Sequence, residues 1–143
     1  MNIKKAASKD LPDILNLLRT CDLPVEGVAE HPGNFVVVKA GGKILGCAGL
    51  ETYKKTGLLR SLAVVKEERG RGHGRLLVLE ILKLAKKKNL EKTYLLTIDG
   101  ADYFKRFHFR VISRKKVDPE IQKTPEFNSQ CCSSAVCMVG TID

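Results

Sequence analysis

The sequence has no apolar run long enough to cross a membrane, and it contains no tryptophan. Aromatic residues make up only 6% of the chain and do not alternate with basic ones, so a stacking platform for single-stranded nucleic acid is poorly supported. The first residues lack the apolar segment of a secretory signal. From these absences we expect a cytoplasmic protein with no membrane and no nucleic acid among its partners.

Paired cysteine motifs are also missing. The chain has five cysteines, an odd number without a Cys-x-x-Cys pair, so neither a disulfide framework nor a zinc site is expected. Two interpretations of Cys131, Cys132 and Cys137 remain open. They could bind a soft metal or metalloid, or they are reduced and partly buried thiols, which is the interpretation we favour. We therefore expect no metal cofactor.

The length and the net charge of the chain limit the number of domains and the kinds of partner to expect. Its 143 residues suit a single domain, residues 1–143, with one core. The net charge of +9 could attract nucleic acid, an acidic membrane or a phosphorylated small molecule. The tight run Lys86-Lys87-Lys88 falls where a helix should end, and cations are favourable there. We interpret this run as a solvated helix end.

Hydrophobic patterns predict an α/β order of elements. A first strand at 2–6 and an amphipathic helix ending near Cys21 precede a loop at 22–33. An antiparallel meander of three strands follows, at 35–40, 43–50 and 58–65, with a Gly41-Gly42 hairpin turn. A helix at 75–88, apolar on nearly all sides and so expected to be buried on more than one face, leads to a parallel fifth strand. The later elements are that strand at 93–98, a short helix at 99–107, a strand at 109–116, an irregular segment to 133 and a last strand at 135–142.

A glycine-rich basic loop separates the fourth strand from the long helix. Its alternating glycines let the backbone turn tightly and approach a ligand closely. Free amides at the helix start form an anion site, to which the arginines add charge. Neither a P-loop nor the Gly-x-Gly-x-x-Gly fingerprint is present. We interpret the loop as a cradle for a pyrophosphate, built by Arg69, Gly70, Arg71, Gly72, His73, Gly74 and Arg75.

The run Arg69-x-x-Gly72-x-Gly74 resembles the Arg/Gln-x-x-Gly-x-Gly/Ala signature of the GCN5-related N-acetyltransferases, the GNAT family. The resemblance covers nearly the whole chain. It implies the GNAT acetyltransferase fold: a mixed central β-sheet, antiparallel in its first half and parallel at strands 4 and 5, flanked by helices. It also implies acetyl-CoA as co-substrate. The pyrophosphate would lie in the loop, and the pantetheine arm would contact the backbone of Leu62, Ala63 and Val64.

The same resemblance implies direct acyl transfer, with a general acid that is often a tyrosine on the helix after strand 5. Counting back from Phe109 puts Phe104 at that position, and His108 replaces the usual glycine. Tyr103, which faces about 100° away, is our candidate acid; the alternatives are a core aromatic and protonation by solvent. Water is one acceptor for the amine's proton. The candidate bases, each expected at the surface, are Glu26, Glu30, His31 and Glu51.

Arg60 and Ser61 are our candidates for substrate binding. Arg60 stands in an apolar stretch of the fourth strand, where a charge needs a partner. It could clamp a substrate carboxylate or phosphinate, pair internally with Glu51, or lie at a rim. If it binds an anion, the substrate is an amino-acid-like molecule acetylated on its α-amine.

Two segments sharpen the resemblance: residues 58–64, and the tail with Thr124-Pro125-Glu126-Phe127. They look like the arsenic-resistance-linked acetyltransferases, which modify arsinothricin, and whose relatives modify phosphinothricin. Cys132 stands where proline would be expected. The leading hypothesis is an N-acetyltransferase for a small-molecule primary amine. A protein or peptide N-acetyltransferase, a non-catalytic acyl-CoA sensor and a basic nucleic-acid binder are the alternatives. The sequence leaves the oligomeric state open, a homodimer included.

Overall fold

The computed structural model describes residues 2–30, 32–128 and 135–142. Within these ranges, seven strands form one sheet in the order β1-β2-β3-β4-β5-β7-β6. The strands are β1 (Asn2–Lys5), β2 (Phe35–Ala40), β3 (Lys43–Tyr53), β4 (Thr56–Val64), β5 (Lys92–Thr97), β6 (Arg110–Val111) and β7 (Val136–Thr141). The helices are α1 (Leu11–Thr20), α2 (His73–Lys87), α3 (Ala101–Lys105) and α4 (Pro119–Gln122). None of these helices is long and apolar enough to cross a membrane.

The sheet is mixed, as the sequence predicts. Strands β2, β3 and β4 form the antiparallel meander, and β4 pairs with β5 in parallel. Gly41 and Gly42 make the turn between β2 and β3 with φ of 57° and 81°, a left-handed backbone that glycine adopts at little cost. Helix α2 is the crossover between β4 and β5, so its first turn lies beside the carboxyl end of β4.

Apolar residues cover both faces of the sheet. Along β2 they alternate: Val36 and Val38 pack with the buried face of α2, whereas Phe35 and Val37 pack with α1. A third cluster joins α4 to the end of the sheet through Ile121, Val117 and Phe127. The sheet therefore has packed apolar clusters on both faces.

Helix α2 differs from its prediction in two ways. It begins at His73 rather than Arg75, and it is buried on one face only, with Leu76 48% and Leu79 37% exposed. The expectation of burial on more than one face was wrong because Leu79 faces a cavity instead of packed chain. Asn89 follows the helix end with a left-handed φ of 59°, a conformation that asparagine adopts at many helix ends.

The segment after α3 also departs from the prediction. The strand expected at 109–116 shrinks to the two residues of β6, because the Ser113 side chain accepts a hydrogen bond from the amide of Lys115 and starts a 3-10 turn. The segment expected to be irregular contains α4. Cys131 and Cys132 lie outside the described residues, so the proposed thiol cluster is not described; Cys137 is buried in β7.

Candidate active site

Strands β4 and β5 run together only at their beginnings. Their pairing comprises Thr56 with Lys92, Gly57 with Thr93 and Leu58 with Tyr94, after which the strands diverge. A cavity of about 420 Å³, which we call the strand cleft, opens between them. Strand β4 pairs with β3 on one side, and its residues 59–62 line this cleft. In a mixed α/β sheet, the point where neighbouring strands part at their carboxyl ends is a common place for a ligand.

A bulge in β4 shapes the wall of the strand cleft. Cys47 pairs with Ala63 and Gly49 with Arg60, so Ser61 and Leu62 together oppose a single residue of β3. Ser61 takes a left-handed φ of 62°, and its carbonyl accepts a hydrogen bond from the Cys47 thiol at 3.3 Å. Burial raises the pKa of Cys47 to about 12, which keeps the thiol protonated as a donor. The bulge thus re-aims backbone groups of β4 at the point where the cleft begins.

The glycine-rich loop forms a concave backbone surface at the start of α2. Gly70 and Gly72 have φ of 81° and 87°, and Gly72 is the residue before the helix, with no side chain capping its amides. A Cβ atom added at either glycine would meet nothing within 4 Å. The amides of a helix's first turn have no carbonyl partner within the helix. This surface is therefore suited to an anion, as the sequence predicts.

A second cavity of about 660 Å³, the loop cavity, lies beside these glycines. Arg69 and Arg75 contribute to its wall, as do Leu79 and Leu82 of α2. Arg69 donates from Nε to the Val64 carbonyl at 3.1 Å, which fixes the end of β4. Arg71 is absent from this wall: its side chain is 65% exposed and its Nη1 lies 3.7 Å from the Glu68 carboxylate.

His73 is the first residue of α2 and is 2% exposed. Its Nε2 lies 3.1 Å from Oε1 of Glu68, whereas its Nδ1 has no hydrogen-bond partner among the described residues. Glu68 therefore orients both His73 and Arg71. Glu68 could not be predicted from the sequence, since a glutamate in a charged stretch carries no pattern of its own.

Tyr103 lies where the strand cleft and the loop cavity meet, because it lines both. Its ring packs edge-on against Phe104 and Phe107, with centroids 5.3 Å and 5.4 Å away. Its hydroxyl is 3.1 Å from the position that a Cβ of Gly74 would occupy. Burial raises the pKa of Tyr103, so the hydroxyl carries its proton at neutral pH. Its role as general acid stays a prediction.

The two departures from the family pattern on α3 have structural explanations. Phe104, at the family's tyrosine position, is 9% exposed and belongs to the core beneath α2. His108, at the usual glycine, adopts a left-handed φ of 68°. That backbone suits glycine, and among other residues histidine is one of those that tolerate it best.

Arg60 is bonded internally. Its Nη1 donates to Oε2 of Glu51 at 2.7 Å and to the Glu26 carbonyl at 2.6 Å, and Nη2 donates to the Pro24 carbonyl at 3.1 Å. Its Nε donates to the Ser61 hydroxyl at 3.0 Å. Four of the five N–H groups of the guanidinium are thus engaged with the protein. Of the interpretations offered above, the structure shows the pair with Glu51; a substrate contact stays a prediction.

The candidate bases fall in different places. Glu26 and Glu30 are exposed, as expected, and His31 lies outside the described residues. Glu51 was wrongly expected at the surface: it is fully buried, where it also accepts a hydrogen bond from the Tyr53 hydroxyl. Its burial follows from the pairing with Arg60, since a buried arginine requires a nearby carboxylate.

Glu126 is a further buried carboxyl, and no pattern in the sequence indicates a chemical role for it. It is 5% exposed and lines the cleft with Arg60, Ser61 and Tyr103. Burial raises the pKa of Glu126 to about 7; Arg60 opposes this rise, and the Glu51 and Glu26 carboxylates add to it. Within the described ranges, no group of three or more histidine, cysteine or acidic side chains is placed to hold a metal.

This chain belongs to the GNAT family of acetyltransferases, whose family profile matches residues 7–109. An uncharacterised N-acetyltransferase of Chlorobaculum tepidum is 33% identical over 92 residues, which cover 64% of this chain and 59% of that protein. An amino-acid acetyltransferase of Mycobacterium tuberculosis is 30% identical over 107 residues, 74% of this chain and 55% of that protein. The matched regions thus span little more than half of these relatives' length.

Solved structures share the fold. N-acetylglutamate synthase from Neisseria gonorrhoeae, crystallised with coenzyme A and N-acetyl-glutamate, superposes with a TM-score of 0.85 at 22% identity, over 99% of this chain and 35% of that one. A Mycobacterium tuberculosis protein crystallised with CoA superposes over the whole of both chains, with a TM-score of 0.83 at 22% identity. These likenesses confirm the predicted mixed sheet with a parallel β4–β5 pair.

Proposed function

We propose that this protein transfers the acetyl group of acetyl-CoA to the primary amine of a small amino-acid-like molecule. The observation that carries the proposal is the divergence of β4 from β5 directly beside the glycine-rich loop. The free edge of β4 and the first turn of α2 lie close together, so their backbone amides can bind two parts of one ligand. Membership of the GNAT family and the amino-acid acetyltransferases among its relatives support the reaction and the substrate class.

Coenzyme A fits this surface on three counts. The open edge of β4 can pair with the amides of an extended pantetheine arm through the backbone of Leu62, Ala63 and Val64. The backbone of residues 70–75 can receive a pyrophosphate, because a Cβ at Gly70 or Gly72 would point into open space. Arg69 and Arg75, in the wall of the loop cavity, add positive charge. Acetyl-CoA would supply the acetyl group as an activated thioester.

The proposed reaction needs two chemical contributions from the chain, stabilisation of an oxyanion and donation of a proton. A neutral amine attacks the thioester carbonyl, so that a C–N bond forms and the C–S bond breaks. The re-aimed amides of the β4 bulge would stabilise the oxyanion, as donors aimed at developing charge do. Tyr103, protonated and placed where the two cavities meet, would give its proton to the departing sulfur.

The strand cleft would hold the acceptor. Its volume of about 420 Å³ falls in the ordinary range for small-molecule pockets. Ser61 and the remaining N–H of Arg60 would contact an acidic group of the substrate. We include arsinothricin, phosphinothricin and glutamate among the proposed acceptors, because the tail segment resembles the arsenic-resistance-linked enzymes.

Free-thiol release from acetyl-CoA, measured against a panel of amines, tests the proposal. We expect turnover with glutamate or one of its two analogues, and only background release with peptides or without an amine. Turnover with peptides alone would instead indicate a protein N-acetyltransferase. Tight coenzyme A binding without turnover on any amine would indicate an acyl-CoA sensor.

A further inference from the structure

The acceptor side of the strand cleft contains an acid for which the reaction described so far has no use. Glu126 follows α4 in a segment that packs against the sheet through Ile121 and Phe127, which are both buried. Its own side chain is buried and reaches the cleft wall. It therefore lies in the compartment proposed for the amine, and it does not line the loop cavity.

The surroundings of Glu126 set its charge. Arg60 on β4, Glu51 on β3 and Glu26 in the loop before β2 interact with it electrostatically. Four further titratable groups line the same cleft, on the segment after α1 and on the β5–α3 side: Cys21, Asp22, Asp99 and Tyr103. Arg60, whose Nη1 lies 2.7 Å from Oε2 of Glu51, also favours the charged form of Glu126, but the effect of burial is larger. Burial, opposed by Arg60 and reinforced by Glu51 and Glu26, raises the pKa of Glu126 to about 7, so the carboxyl can gain or lose its proton near neutral pH.

The reaction needs such a group. A primary amine reaches the cleft mainly as an ammonium ion, since α-amino groups titrate at about 7.7–8.0 and lysine-type amines at about 10.4. An ammonium has no lone pair and cannot attack a carbonyl. A carboxylate in the same pocket attracts the cation and can then take one of its protons.

We propose that Glu126 recognises the ammonium group of the acceptor and removes its first proton. One proton passes from the ammonium to the carboxylate, which leaves a carboxylic acid and a neutral amine. The amine nitrogen then carries two protons: one remains on the nitrogen of the amide product, and loss of the other balances the proton that the thiolate gains. This inference rests on the proposed function and adds the residue that makes the acceptor reactive.

The other acids near the cleft are less well placed. Glu51 is held by Arg60 and by the hydroxyl of Tyr53. Glu26 is exposed, and it does not line the cleft. Asp22 and Asp99 do line it, but both are exposed to water, which weakens their attraction for a cation. Among the acids named here, Glu126 is the one that is both buried and in the cleft wall.

The test compares Glu126→Gln with Glu126→Asp, and with Glu120→Gln as control. Glu120 is a glutamate of the same segment, with its carboxylate on the surface 3.2 Å from Lys54 Nζ. For each variant, kcat/KM is measured from pH 5.5 to 9 with the best amino-acid acceptor of the wild type. It is measured again with O-methylhydroxylamine, an amine that is neutral across this range, after subtraction of background release. Coenzyme A affinity is measured by calorimetry.

We expect Glu126→Gln to lower kcat/KM for the amino-acid acceptor about 10²-fold and to abolish its rise near pH 7. Glu126→Asp should keep a titrating limb. With O-methylhydroxylamine the loss should be less than about 10-fold, and coenzyme A affinity should stay unchanged, as it should in Glu120→Gln. The inference is overturned if Glu126→Gln keeps the wild-type rate and pH profile, or if both amines lose rate by the same factor. If the wild type shows no turnover with any amine, the proposed function is overturned as well. If the wild type turns over and Glu126→Gln is unaffected, only the role of Glu126 is overturned.

Discussion

Glycine has two roles in this chain: it forms turns, and it lets a ligand approach the backbone closely. Substitution by alanine, which adds one methyl group, should distinguish them. Gly72 and Gly42 have φ of 87° and 81°, and neither would bring a new Cβ within 4 Å of another atom. Alanine should therefore cost both positions the same backbone strain, about 1–2 kcal/mol of unfolding free energy. Only at Gly72 would the methyl group enter the proposed pyrophosphate site.

We expect Gly72→Ala to weaken coenzyme A binding about 10-fold or more and Gly42→Ala to leave it unchanged, as measured by calorimetry. Denaturation of both variants in urea provides the control, since they should lose similar stability. Equal coenzyme A affinities in the two variants would mean that the phosphates bind elsewhere.

The hydroxyl of Tyr103 can be removed without disturbing its ring. Tyr103→Phe keeps the edge-on contacts with Phe104 and Phe107. If the hydroxyl protonates the leaving thiolate, kcat should fall about 10²-fold while the affinity for coenzyme A changes little. Steady-state kinetics of thiol release would show this; an unchanged kcat would assign the proton to solvent instead.

At the scale of elements, Arg60 connects three parts of the fold. It joins β4 to Glu51 of β3 and, through the carbonyls of Pro24 and Glu26, to the loop that walls the strand cleft. Removal of the guanidinium takes the paired cation from the buried Glu51 carboxylate and one donor from each of the carbonyls of Pro24 and Glu26. A loss of activity in an Arg60 variant would therefore report a displaced loop as readily as a lost substrate contact.

We expect Arg60→Met to lower the free energy of unfolding by about 3–5 kcal/mol, the usual effect of breaking a buried ion pair. The double variant Arg60→Met with Glu51→Met should lose less, because it also removes the stranded carboxylate. Chemical denaturation of the two variants decides this. A double variant as unstable as the single one would show that the loop carbonyls, and not the ion pair, hold this region.

Whether a feature could be predicted from the sequence depends mainly on how many residues separate the groups that contact each other. The Gly41-Gly42 turn and the glycine-rich loop depend on neighbouring residues, and both are where the sequence places them. Arg60 bonds to carbonyls 34 and 36 residues away, so no local pattern could decide between its internal pairing and a substrate contact. Glu126 lies in a segment without periodicity and reaches the strand cleft only through tertiary packing. The shortness of β6 has a different cause, because a local side-chain hydrogen bond at Ser113 overrides strand propensity.

For the whole molecule, the buried Glu126 makes stability depend on pH. In the unfolded chain its pKa is near the ordinary 4.5, whereas burial raises it to about 7 in the folded protein. Below pH 4.5 both states carry the proton. Between pH 4.5 and 7 only the folded state keeps it, so stability falls as the pH rises, by at most about 3 kcal/mol, and then stays level.

Urea denaturation at pH 5 and pH 8 should reveal this loss in the wild type and a smaller one in Glu126→Gln, which has no proton to lose. The ion pair of Asp10 with Lys39, which lowers the pKa of Asp10, is common to both proteins and cancels in the comparison. An identical pH dependence in the two proteins would show that Glu126 titrates normally and is open to water.

Calorimetric titration of the wild type with coenzyme A, and in parallel with pantetheine, tests the central claim most directly. Pantetheine keeps the arm that would pair with β4 but lacks the pyrophosphate that would lie on the glycine-rich loop. The account predicts one site per chain for coenzyme A and an affinity for pantetheine at least about 100-fold lower, since charge-assisted bonds to the loop amides and arginines would be lost. No binding of coenzyme A, or equal affinities for the two compounds, would contradict it.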